Sequence, residues 1–90
     1  MNHKEIAIRV YQEIGAELNT EKMISNGWHK VDLGTIRRSY QQWKKTITDN
    51  GSAIGKVYVY FWYGDLSHVN VFIFGVHKSF NIRNGELKEA

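Results

Sequence analysis

Ninety residues without cysteine, with 12 Lys and Arg against nine Asp and Glu for a formal net charge of +3, describe one small, mildly basic domain. That composition rules out disulfides, thiolate metal sites and cysteine nucleophiles, and leaves no room for a second core. The first residues are polar with no apolar signal segment, and the longest apolar stretch, 57–63, is too short to cross a bilayer, so a cytoplasmic protein without membrane contact is expected.

Residues 3–18 predict an amphipathic helix, because Ile6, Val10, Ile14 and Leu18 recur every four positions. Glu13 and Glu17 lie on its polar side, and Gly15 weakens it by about 1 kcal/mol relative to Ala, marking close packing. Thr20 can N-cap a second helix over 20–27 that carries Met23 and Ile24 inward and stops at Asn26-Gly27. Trp28 then closes over the helix end.

The stretch 33–48 reads in two ways. As a helix it lines up Ile36, Tyr40, Trp43 and Ile47 and puts Arg37, Arg38, Gln41, Gln42, Lys44 and Lys45 on the other face. As a strand it mixes cations and aromatics on both faces, although Val31, Thr35, Ile36, Tyr40 and Trp43 are good strand formers. The periodicity favours the helix, and a strand would shift weight from a nucleic-acid partner toward a protein one.

Asp49 to Ser52 predict a turn. Residues 56–63 and 68–76 predict two strands joined through Gly64-Asp65-Leu66-Ser67, in a register that sets Tyr63 against His68 and Tyr60 against Val71. One face then holds Tyr58, Tyr60 and Trp62 with Val69, Val71 and Ile73. The other holds Val57, Val59 and Phe61 with Phe72 and Phe74, and with Asn70 and His68 near the turn. Both faces need cover. Residues 77–82 can add a third strand past a bulge or bend at Gly75, and residues 84–90 form a frayed polar tail. The expected fold is α+β, a single domain over 1–90, with N-terminal helices packed on a C-terminal antiparallel β-hairpin or small sheet.

No catalytic residue, cofactor or metal is expected. His3, His29, His68 and His77 lack metal-ligand spacing, and His68 and His77, nine apart, would fall on opposite faces of one strand. Asp65, Ser67 and His68 share a turn, where backbone hydrogen bonding explains them better than a triad.

Met23 and Ile24, the run Val31-Asp32-Leu33-Gly34-Thr35-Ile36-Arg37-Arg38, and then Tyr40 and Trp43 form a loose pattern over residues 20–47. With the Asn-Gly turn and hairpin that follow, it resembles the helix-turn-helix of winged-helix DNA-binding proteins. The resemblance implies a regulator acting as a dimer on duplex DNA, with Arg37 and Arg38 at guanine edges or phosphates, Gln41 and Gln42 on adenine or backbone, and Lys44 and Lys45 on phosphates. The aromatic row Tyr58, Tyr60 and Trp62 supports two other uses. It can stack unpaired bases, or it can be the protein interface of a phage- or mobile-element-type protein that binds and modulates a host protein. The expected function is a non-enzymatic nucleic-acid-binding module, with host-protein binding as the alternative.

Overall fold

The computed structural model describes residues 2–33 and 39–90. It is α+β: α1 (His3–Ile14), α2 (Thr20–Ser25), then β1 (His29–Val31), β2 (Tyr40–Asp49), β3 (Ser52–Trp62), β4 (Asp65–Ile73), β5 (Val76–Arg83) and β6 (Glu86–Glu89). The six strands form one antiparallel sheet in sequence order, larger than the hairpin expected.

Asn2 caps α1, its side chain accepting the Glu5 N–H at 2.9 Å while its amide donates to Glu5 Oε1. The helix stops at Ile14, four residues short of the expected end. Gly15 turns to φ 75, and a Cβ there would meet nothing within 4 Å, so backbone conformation rather than close packing requires the glycine. In α2 the cap is Asn19, not Thr20, through a 3.0 Å bond from Lys22 N–H. The helix closes as a Schellman motif, Gly27 N–H donating to Ile24 O and Trp28 N–H to Met23 O. Trp28 is buried directly after it, as its position suggested.

The helix expected over 33–48 is not what forms: residues 40–49 are strand β2, and 34–38 lie outside the described residues. The every-third-or-fourth pattern Tyr40–Trp43–Ile47 coincides with a strand in which Trp43 and Ile47 face the core and Tyr40 faces away. Tertiary pairing decided the outcome, since β2 is held on one side by β1 and on the other by β3.

Four two-residue turns join β2 to β6: Asn50-Gly51, Tyr63-Gly64, Phe74-Gly75 and Asn84-Gly85. Both residues of each have positive φ, the type I′ geometry that matches the twist of paired strands. The expected connection through Gly64 to Ser67 is therefore too long. β4 begins at Asp65, and Tyr60 pairs with His68 and Val57 with Val71. A slip by an odd number of residues exchanges the faces. Val57, Val59 and Phe61 thus share a side with Val69, Val71 and Ile73, while Tyr58, Tyr60 and Trp62 share the other with His68, Asn70 and Phe72. β5 arises from a hairpin at Phe74-Gly75 instead of a continuation of β4, and the expected frayed tail contains β6, paired to β5.

The aliphatic side is the core. Ile6, Ala7, Val10 and Ile14 of α1 cover it, lying chiefly over β4, and Leu18 joins the edge of the cluster. Each buried aliphatic side chain contributes roughly 1.5–3 kcal/mol. Backbone bonds from Leu18 N–H to Gly64 O and from Leu66 N–H to Ala16 O fasten the chain after α1 to the β3–β4 turn.

Candidate functional site

With α1 committed to one side, the other side of the sheet has no covering element among the described residues. It carries Tyr40, Gln42 and Lys44 from β2, Lys56, Tyr58, Tyr60 and Trp62 from β3, His68, Asn70 and Phe72 from β4, and His77, Ser79 and Asn81 from β5. Most of these side chains are half-buried by one another. Alternation alone assigns them to one face, because each is an odd step from a core residue on its own strand.

A chain of hydrogen bonds crosses four strands on this face. Gln42 Nε2 and Asn70 Nδ2 both donate to the Tyr60 hydroxyl at 3.2 Å, and Ser79 Oγ donates to Asn70 Oδ1 at 2.6 Å. The Ser79 hydroxyl has one proton and spends it on Asn70, so at 3.1 Å His77 Nε2 must be the donor to Ser79. Among the described residues no buried side-chain polar atom lacks a partner.

Stacked rings flank the network. The His68 ring lies 4.1 Å from that of Tyr60, at 14°, and Tyr40 leans on both Tyr60 and Trp62. At the other end His77 stacks on Phe72 at 4.4 Å and 7°, with Tyr58 edge-on to Phe72. Burial in this cluster holds the His68 imidazole below its ordinary pKa. His68 and His77 therefore sit on adjacent strands and one face, not on opposite faces of a single strand as their spacing suggested. Ser67 Oγ lies 3.1 Å from His68 Nδ1.

Charge is unevenly placed: the Lys88–Glu86 pair lies at the β6 edge of the open face, level with Asn81 and Arg83, while Lys45 and Lys78 belong to the other side. Lys45, Lys78 and Lys88 pair with Glu13, Glu89 and Glu86. Among the described residues no carboxylate lies within ion-pair reach of Lys44 or Lys56, which flank Tyr58 on the open face. In the register the acid nearest Lys56 is Asp49, paired with Ser52 four residues back along β3, and Asp65 lies opposite Trp62 at the far end.

The six residues expected on one helix face do not stay together. Gln42 and Lys44 are on the open face. Gln41 turns to the other side, accepting from Trp43 Nε1, and Lys45 bonds Glu13 and stands 5.8 Å over the Trp28 ring. Arg37 and Arg38 lie outside the described residues. Tyr58, Tyr60 and Trp62 all belong to the open face. Sequence reading missed Asn70, Phe72, His77 and Ser79 as their partners. The signal was present in the residue-plus-glycine pairs at 63–64 and 74–75, which fix the register once read as two-residue turns.

Among the described residues no cluster of three His, Asp or Glu could hold a metal ion, and no helix is long and apolar enough to cross a membrane. A scan of family models and searches of curated proteins and solved structures returned no match to this chain.

Proposed function

We propose that this chain is a non-enzymatic module that binds single-stranded nucleic acid on the open face of its sheet. The observation that carries the reading is the ordered row of rings joined by the Gln42–Tyr60–Asn70–Ser79–His77 network beside Lys44 and Lys56. Rings on a sheet stack unpaired bases at about 1–3 kcal/mol each, and amide and hydroxyl groups between them bond base edges. Alternate residues along β3 repeat at about 6.7 Å, close to twice the ~3.5 Å contact distance of planar groups. A row with that repeat suits bases splayed from a strand.

Duplex DNA fits this face poorly. Six strands at ~4.8 Å spacing make a surface about 24 Å across, twice the width of a major groove of about 12 Å. Neither helix is free to take the groove's place, since α1 is packed on the sheet and α2 is six residues long.

Fluorescence anisotropy with labelled oligo-dT and oligo-U of roughly eight nucleotides tests the proposal. Binding is expected to weaken with salt at a log–log slope of about −1.4, two phosphates at about −0.7 each, and Lys44→Ala or Lys56→Ala should each remove about half of it. Tyr60→Ala should weaken binding without unfolding the chain. Absence of binding at about 50 mM salt to either oligonucleotide refutes the proposal. The alternative, a host protein seated on the same rings, draws support from Trp62 and Tyr63, 52% and 72% exposed at one end of the face. Capture of a protein that depends on Tyr60 and not on Lys44 or Lys56 would favour it.

A further inference from the structure

At the end of the open face where the β2–β3 and β4–β5 turns lie, a cavity of about 260 Å³ opens between Ile54, Tyr58, Phe72 and Phe74, with Gly55 lending it only backbone and Lys56 in its lining. Resting on the single-strand reading above, we propose that this cavity seats one unpaired base, with the adjoining phosphate held by Lys56 and Lys44.

The size points to one ring system, since pockets for drug-sized molecules run to roughly 300–1,000 Å³. Its walls are three aromatic rings and one aliphatic side chain, its lining holds no carboxylate, and the one charge is a lysine without an ion pair among the described residues. Lys44 stands directly across from Tyr58 on β2 and Lys56 two residues along β3, so two cations flank Tyr58, one of them in the cavity lining. A planar apolar body joined to an anion matches that arrangement. A nucleotide is such a body, and an aliphatic side chain would leave both lysines unused.

The backbone supplies a separate argument. Phe74 occupies the first position of a type I′ turn at φ 47, where Asn or Gly is the ordinary choice, and its ring is 79% exposed. Neither local conformation nor core packing calls for phenylalanine there. The turn is also rooted beside the cavity, Phe74 N–H donating to Ile54 O at 2.9 Å across a bulge in β3. An exposed ring carried by a strained turn at the rim of a ring-lined cavity is accounted for by a ligand that it covers.

Phe74→Asn is the variant of choice, because it suits the turn better than the native residue and removes the wall. The assay is binding of labelled oligo-dT and oligo-U, each also carrying a single abasic nucleotide at successive positions. Phe74→Asn should weaken binding about 5- to 100-fold, the loss of one base–ring stack. The abasic substitution at one position should weaken the wild type by a similar factor and Phe74→Asn hardly further, as coupled losses do. If Phe74→Asn binds like the wild type while Tyr60→Ala does not, the cavity is not a base seat although the platform stands. If losses at every abasic position add to that of Phe74→Asn, the inference is likewise overturned. If the wild type binds neither oligonucleotide, both readings fail together. The DNA and RNA arms tell which backbone the seat accepts.

Discussion

Replacing Gly55 by alanine should destabilise the protein more than its position near the end of a sheet suggests. A Cβ at Gly55 would stand 1.8 Å from the Phe72 carbonyl oxygen and 3.0 Å from Ile73 Cα, both backbone atoms that cannot rotate away. Ordinary C···O contact begins at about 3.3 Å, so β4 must retreat by roughly 1.5 Å. That displacement carries an inter-strand bond of 2.9 Å, such as Phe74 N–H to Ile54 O, beyond hydrogen-bonding range. Losing two such bonds at about 1 kcal/mol each, with loosened packing of Ile73, gives about 2–4 kcal/mol. The whole domain is expected to be stable by only about 5–13 kcal/mol, and the melting temperature should fall by about 8–30 °C. Urea unfolding followed by tryptophan fluorescence measures the loss. Gly51→Ala serves as the comparison, since it meets only the strain of a positive φ, about 1 kcal/mol, with nothing within 4 Å of its Cβ. A loss at Gly55 no larger than at Gly51 would refute the reasoning.

Tyr63→Asn should stabilise the chain by about 1 kcal/mol, because Tyr63 holds φ 49 in a type I′ turn while 72% exposed; an unchanged urea midpoint would show that its ring repays the strain. Burial disfavours the imidazolium of His68, so its folded pKa lies below the ordinary 6.5 and the unfolded chain takes up the proton first. His68 therefore leaves stability untouched above that value and removes some as pH falls through it toward the lower folded pKa. His68→Gln should flatten the decline between about pH 7.5 and about pH 5.5, and wild type and variant declining in parallel would contradict the assignment.

Local signals in the chain were read well where a single element decided them. The Ile6–Val10–Ile14 stripe, the Asn26-Gly27 stop and the apolar runs of β3 and β4 all act over a few residues. Two features were hidden by physics of longer range. In residues 40–49 the helical and strand periods coincide at Trp43 and Ile47, four apart, and only pairing with β1 and β3 breaks the tie. The open face was hidden by one misplaced turn, for tyrosine and phenylalanine are poor guesses for left-handed positions, and the register followed the guess. Once Tyr63-Gly64 and Phe74-Gly75 are taken as turns, alternation puts Tyr60, His68, Asn70, Phe72, His77 and Ser79 side by side.

Because every strand from β2 to β6 pairs with its neighbour in the chain through a two-residue link, the sheet can grow as successive zippered hairpins, each on the scale of about 1–10 μs. The long closures belong to α1, whose His3 Nε2 bonds Val76 O and whose Tyr11 hydroxyl bonds Gly85 O, more than seventy residues away. The helix is thus expected to dock last and to leave first. A chain caught without it presents bare Val59, Phe61, Val69 and Val71 to solvent on an otherwise formed sheet, and that exposure, rather than loss of strand pairing, is where self-association should begin.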